Sequence, residues 1–285
     1  MNISGSAKLA GVIGDPVSHS LSPRLHAHWL EMYGLDGAYV PLHVPRYAFA
    51  RALDGLRAAG FAGVNVTVPH KEAAFAVAHR LDASARATGA VNLLVFDGAH
   101  IEGRNTDAAG LAESLAESLG AHALRGRPVA VLGAGGAARA AVLALDGLGA
   151  SEIRVVARSA ARADILVRAP GSSTTAKLKG VAWADWPAAA ADIVLLLNAT
   201  SAGMRGKSPL EVSLDPLPSN AVVCDIVYNP LETELLAKAR IRGHMVVDGL
   251  GMLMHQAISS FEAFYGVKPQ VTAALRRHLE EALHG

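Results

Sequence analysis

The sequence predicts an α/β protein of two domains, the second of them doubly wound. Three observations carry this. Strand-length apolar runs alternate with helix-like segments along the chain. One glycine-rich turn joins an apolar run directly to an alanine-rich helical stretch. The length, 285 residues, is about that of two domains, because single cores stop growing well before that size.

In chain order, LAGVI, AYVPLHV, GVNVTV and AVNLLVF read as strands, and residues 24–33 and 46–59 as helices between them. Residues 107–119 are amphipathic at helical spacing and stop at Gly120, so they form a connecting helix with the hinge beside it. A second series then runs through VAVLG, IRVVA, DIVLLLN, AVVCDIV and HMVVDG with helical stretches between several of them, the pattern of a doubly wound, Rossmann-like domain. After it, residues 252–265 and 271–283 are helical patterns with no strand of their own to cover, and they are expected to return to the first domain. The resulting division is 1–107, 108–248 and 249–285. Residues 169–175 (APGSSTT) and 213–220 (SLDPLPSN) read as loops, and neither is a low-complexity linker.

Composition narrows the function classes. With 51% hydrophobic and 18% charged residues and a net charge of +1, the chain reads as an ordinary globular protein and not as a binder of nucleic acid or another polyanion. The apolar runs are too short and too interrupted to span a membrane. The start, MNISGSAKLAGVIGDP, lacks the basic segment, apolar stretch and small-residue cleavage site of a secretory signal, so a cytoplasmic location is expected. The single cysteine, Cys224, lies in an apolar run with no base beside it and is expected to be buried and inert. Twelve histidines show no metal-ligand spacing, and no metal is expected.

VAVLGAGGAARAAVLAL places Gly133-x-Gly135-x-x-Ala138 between a strand and a helix. Gly133 permits the tight turn, Gly135 lets backbone approach a pyrophosphate, and Ala138 allows close helix–strand packing. The helix start then offers unpaired N–H groups to the anion. The following strand, IRVVA, ends near where an acidic residue would bind the free 2′-hydroxyl of NAD. Here the chain reads Ala157, Arg158, Ser159, Ala160, Ala161, Arg162, with two guanidinium groups suited to the 2′-phosphate of NADP. The alternative, solvated charges at a helix start, is common taken alone, but cationic charge at a helix N-terminus is unfavourable and a bound phosphate would give it a reason.

Three segments of the first half are polar where core packing does not require it: Ser18–Pro23, Asn65–Lys71 and Gly103–Asp107. Their hydroxyls and amides suit a polyhydroxy acid, and Lys71 and Asp107 are the charged pair fitted to proton traffic. Spacing alone does not name the substrate.

These residues resemble the shikimate dehydrogenase family over nearly the whole chain. GVIGDPVSHSLSP, GVNVTVPHK, AVN and GRNTD are similar to its substrate-side motifs. GAGGAAR, ARSAAR, NATSAGM and DGLGMLMHQA are similar to its cofactor and closing motifs, in the same order. The resemblance implies an NADP-dependent oxidoreductase acting on shikimate and 3-dehydroshikimate in the biosynthesis of aromatic amino acid precursors. It implies that Ser20, Ser22, Thr67, Asn92, Asp107, Tyr228 and Gln256 contact substrate, with Lys71 and Asp107 as the catalytic pair. On the cofactor side it implies Gly133, Ala134, Gly135, Gly136, Ala137, Ala138, Arg158, Ser159, Arg162, Thr200, Met204, Gly249 and Met252. A monomer or homodimer is expected.

The chain departs from the family's commonest forms at Ala157, where Asn is usual, at Arg104, where Asp is frequent, and at Ala108, where Gly is usual. Several site residues also have ordinary explanations. Ser22 before Pro23 reads as a helix N-cap, Asn65, Thr67 and Asn92 as loop-satisfying side chains, Lys71 as a solvated charge, Asp107 as a cap, and Gln256, Tyr228, Met204 and Met252 as packing positions. Gly249 reads as a turn requirement. Two rival functions remain at this point: a quinate/shikimate dehydrogenase of broad specificity, and a non-catalytic NADP-binding sensor. Ser22 and the arginines argue against the first, and the presence of both Lys71 and Asp107 against the second.

Overall fold

The computed structural model of the chain describes residues 3–167 and 174–284. Most of the 169–175 segment, expected to be a loop, therefore lies outside the described residues. The chain divides into two compact units, Met1–Thr106 with Gln256–Gly285, and Asp107–His255.

Unit 1 holds six strands, β1 (Lys8–Gly14), β2 (Gly37–His43), β3 (Phe61–Val66), β4 (Arg80–Leu81), β5 (Leu93–Asp97) and β6 (His100–Arg104), ordered β2-β1-β3-β5-β6-β4 in one sheet. The sheet is mixed. β1 runs parallel to β2 and β3, whereas the β5–β6 hairpin lies antiparallel to β3. The helices are α1 (Ser22–Met32), α2 (Phe49–Ala58), α3 (Lys71–Val77) and α4 (Ala83–Thr88). Ile13, Val64, Val66 and Leu94 pack with Phe49, Leu53, Ala74 and Ala85 to cover one face. A second cluster is aromatic. His26 stacks on Tyr39 with ring centroids 3.8 Å apart, and Trp29 meets Phe261 edge-on. Burial pushes the His26 imidazole down to about 3, so it is a neutral core ring.

Ser22 is not the N-cap of α1. Leu21 occupies that position with helical φ −83° and ψ −7° and accepts from the Leu25 N–H, so the helical turn starts one residue earlier than a serine cap requires. The cap alternative for Ser22 therefore falls away. The AVNLLVF run also begins its strand later than expected, at Leu93, because Asn92 turns its side chain toward Thr106.

Unit 2 opens with α5 (Asp107–Leu119). It continues through β7 (Pro128–Leu132), α6 (Gly136–Gly147), β8 (Glu152–Ala157), α7 (Ala160–Val167), β9 (Lys177–Ala182), α8 (Trp186–Ala190), β10 (Leu195–Asn198), β11 (Val222–Asp225), α9 (Glu234–Ile241) and β12 (Val246–Val247). The strands form one parallel sheet in the order β12-β11-β10-β7-β8-β9. Counted within the unit this is the doubly wound order, with its switch point between β7 and β10. Val129, Val131, Leu195 and Leu197 pack on one face and Ala130, Leu132 and Leu196 on the other. Covering both faces is what makes the central strands β7 and β10 read as apolar runs. α10 (Leu250–Tyr265) crosses the boundary at His255/Gln256, and α11 (Ala273–His284) belongs to unit 1.

Candidate active site

In unit 1 the candidate residues collect at one end of the sheet. β1 and β3 are parallel and finish there, and β5, antiparallel to β3, starts there. The loop after β1 carries Ser20 and leads into Ser22, the first residue of α1, and the Ser20 hydroxyl accepts the Ser22 N–H at 3.3 Å. That loop is tied to the loop after β3: the Thr67 N–H donates to Ile13 O at 2.9 Å and the Asp15 N–H to Val68 O at 3.2 Å. Lys71 heads α3, and its carbonyl accepts the Val91 N–H at 3.0 Å, which fixes Lys71 against the turn that carries Asn92.

Asn92 is buried and organises the turn that follows β6. Its Nδ2 donates to Thr106 Oγ1 and its Oδ1 accepts the Thr106 N–H, both at 2.9 Å. Thr106 directly precedes Asp107, which is the first residue of α5 in unit 2 and is itself buried. Gln256 presents a different situation. Its Oε1 is shielded from solvent and has no hydrogen-bond partner in the protein. A buried acceptor left unsatisfied costs about 1–3 kcal/mol, so this oxygen is suited to a hydroxyl donor.

Two further residues of the Asn65–Lys71 segment, neither assigned to substrate or cofactor, support these. His70 is buried, stacks on Phe49 with centroids 4.9 Å apart, and meets Val44 O at 2.7 Å through Nε2, which anchors the residue preceding Lys71. Asn65 donates through Nδ2 to Asn92 O at 3.1 Å and to Ser260 Oγ at 2.7 Å, and accepts from the Tyr39 hydroxyl at 2.8 Å. It thereby ties the Asn92 turn to α10, one helical turn from Gln256. The available signal was an asparagine at an apolar-run position in GVNVTV.

In unit 2 the candidate residues stand at the ends of parallel strands. Gly133 has φ +115°, which a side chain rarely adopts, and a Cβ there would come within 3.0 Å of Thr200 Cγ2. Gly135 sits at the start of α6 with no side-chain cap, and a Cβ built on it meets nothing within 4 Å. Gly136 begins the helix proper, Ala134 and Ala137 are half-buried, and Ala138 is fully buried against the strand. A helix start without a side-chain cap, beside a glycine whose side-chain place is open, at a switch point is what a pyrophosphate requires, so the residues fit a dinucleotide. Arg158, Ser159 and Arg162 are exposed at the end of β8 and the start of α7. Thr200 Oγ1 donates to Asn198 Oδ1 at 2.8 Å. Met204 and Tyr228 are half-buried. A Cβ on Gly249 would fall 2.2 Å from Ile226 O, so backbone approach alone demands glycine there. Met252 is buried in the α6-side core. Cys224 is buried too, and burial pushes its thiol far above the usual range, leaving it unreactive.

Fold and site together define a two-unit α/β protein with a dinucleotide-type glycine turn in one unit and a lysine–amide cluster in the other. The chain belongs to the shikimate dehydrogenase family. Residues 12–94 match the family model described as the shikimate dehydrogenase substrate binding domain. The shikimate dehydrogenase (NADP(+)) of Acidiphilium cryptum is 50% identical over 285 residues, 100% of both chains. Among solved structures, shikimate 5-dehydrogenase of Thermus thermophilus in complex with NADP(H) and shikimate is 35% identical, with a TM-score of 0.83, covering 97% of this chain and 98% of that one. Quinate dehydrogenase of Corynebacterium glutamicum in complex with NAD is 30% identical at a TM-score of 0.86, covering 98% and 99%. Among the described residues no helix is long and apolar enough to cross a membrane.

Proposed function

We propose that this chain catalyses the reversible, NADP-dependent reduction of 3-dehydroshikimate to shikimate, a step toward the aromatic amino acids, with the residue roles that follow. The observation that carries the reading is full-length membership of a dehydrogenase family in a chain that has both Lys71 and Asp107 together with an open glycine turn.

The bound nicotinamide supplies or accepts a hydride at its C4; everything else falls to the protein. Gly133, Ala134, Gly135, Gly136, Ala137 and Ala138 hold the pyrophosphate, and Arg158, Ser159 and Arg162 hold the 2′-phosphate. Thr200, Met204, Gly249 and Met252 border the nicotinamide. Ser20 and Ser22 receive the substrate carboxylate, and Thr67, Asn92, Asp107, Tyr228 and Gln256 its hydroxyls. Lys71 Nζ donates the proton that the new alkoxide takes up during reduction, with Asp107 as the other member of the catalytic pair. Oxidation of the alcohol releases a proton, so rising pH favours it.

The division 1–107, 108–248 and 249–285 assigns substrate binding and catalysis to the first segment, NADP to the second and completion of the substrate domain to the third. The protein works in the cytoplasm as a monomer or homodimer, with small-molecule ligands and no nucleic-acid or membrane partner. Purified protein assayed with shikimate or quinate, each with NADP or NAD, tests the reading. Highest kcat/KM with shikimate and NADP is expected. Faster turnover of quinate with NAD would overturn it in favour of the quinate enzyme, and no turnover of any pair in favour of a sensor.

A further inference from the structure

Unit 2 contains a buried polar cluster to which the reaction chemistry assigns no role. Asn198 ends β10 and Asp225 ends β11, and the two are partners in the strand register. Both are fully buried, and Thr233 at the start of α9 is buried beside them. Asp225 Oδ1 accepts from Asn198 Nδ2 at 2.9 Å and from the Val227 N–H at 3.0 Å, and Oδ2 accepts from the Thr233 hydroxyl at 2.8 Å. Two of these arms reach segments assigned to the cofactor or substrate, and the third reaches a helix start.

Through Asn198 the carboxylate sets the loop after β10. Asn198 Oδ1 accepts both the Thr200 N–H at 3.0 Å and the Thr200 hydroxyl at 2.8 Å, and the Ala202 N–H donates to Thr200 Oγ1 at 3.1 Å. Thr200 is also the side chain against which Gly133 must remain without a Cβ. Through the Val227 N–H the carboxylate sets the turn that leads to Tyr228, and Gly249 rests directly on Ile226 and Val227 of that turn. The third arm, Thr233, caps α9 by accepting the Leu236 N–H at 3.4 Å.

We propose that Asp225 is the positioning residue of the nicotinamide end: one buried carboxylate holds Thr200, the approach to Tyr228 and the seat of Gly249 in register, while the adenosine end is built independently by Arg158 and Arg162. This rests on the NADP reading above. The carboxylate sits among neutral donors, and burial pushes its pKa up to about 6, so its placement carries an electrostatic cost that packing alone does not require. An aliphatic residue would fill the same place between apolar strands at no such cost, but it would release all three arms.

The test compares binding of NADP with binding of adenosine 2′,5′-bisphosphate, which carries the adenosine end without nicotinamide, by calorimetric titration of the full chain. Asp225→Ala should weaken NADP by about tenfold or more, the scale of a lost buried hydrogen bond, and the bisphosphate by less than about twofold. Asp225→Asn keeps an acceptor for Asn198 and Val227 and a partner for Thr233, so it should restore NADP binding. Should the alanine variant not fold, Asn198→Ala removes only the arm that reaches Thr200 and should give the same split. Equal weakening of both ligands, or unchanged NADP binding, would overturn the positioning role. Wild-type protein that bound neither ligand would overturn the cofactor reading, and this inference with it.

Discussion

Where α6 begins, the protein offers bare backbone: an uncapped helix start, a glycine with open space where a side chain would be, and another at φ +115°. Where β3 ends and β5 begins, it offers amide side chains already held by hydrogen bonds, Asn65 on the Asn92 carbonyl and the Ser260 hydroxyl, and Asn92 on Thr106. The first surface is specified by what is missing and the second by what is held. An anion site made of backbone N–H groups tolerates changes nearby as long as nothing fills the space. A polyhydroxy site made of oriented amides depends on each partner that fixes an amide.

The contrast is sharpest for the single charged group of the unit 1 cluster. Lys71→Ala is expected to lower kcat by roughly 10²–10⁴, the range for a lost general acid, while KM for shikimate changes much less. Steady-state kinetics checks this; turnover within a few-fold of wild type would remove Lys71 from the chemistry.

Gly135→Val comes next. The residue has ordinary dihedrals and open surroundings, so the melting temperature should hold, while NADP binding falls by about tenfold or more because the added methyls occupy the anion's place. A variant with both properties intact would show that the glycine turn is only a turn.

The same division explains what the sequence made legible. The glycine turn is local: seven consecutive letters, GAGGAAR, with a strand before and a helix after, state their geometry by themselves. The doubly wound order followed from apolar runs that are continuous because both faces of the sheet are covered. The amide network is non-local. Asn65, Asn92 and Ser260 are far apart in sequence, and no periodicity announces that they meet; the unexplained polarity of Asn65–Lys71 and the family's motifs pointed to that end of the sheet, but not to these contacts. Short elements were hidden for another reason. β4 has two residues, and β6 and β9 carry Arg, Glu or Lys among their apolar positions, so none reads as an apolar run. Asp225 left one trace, a lone carboxylate inside AVVCDIV.

Ser22→Ala separates binding from folding more finely than the sequence alone allowed. Because Leu21 and not Ser22 holds the cap position, the melting temperature should be nearly unchanged. KM for shikimate should rise by about tenfold for a lost carboxylate partner. A fall in melting temperature with KM unchanged would reverse that assignment.

The smallest effect is electrostatic. Asp225 has a folded-state pKa raised to about 6, so the stability of its protonated form is fully present below the unfolded value near 3.8 and is lost as pH rises through about 6. Asparagine at that position carries no such loss. The melting temperature of Asp225→Asn relative to wild type should therefore increase from about pH 5 to about pH 8, by a few degrees. A difference independent of pH would mean that the carboxylate is not desolvated.

The cofactor assignment is tested most directly by one ratio, kcat/KM with NADP over kcat/KM with NAD, measured for wild type and Arg158→Asp. A cation at the end of β8 and no carboxylate in the turn that follows should give a ratio well above one in wild type. The substitution removes an attraction for the 2′-phosphate and adds a repulsion, so the ratio should fall steeply, with NAD use maintained or improved through the ribose hydroxyl. An unchanged ratio would show that Arg158 is a solvated charge and that the preference for NADP, if present, is made elsewhere.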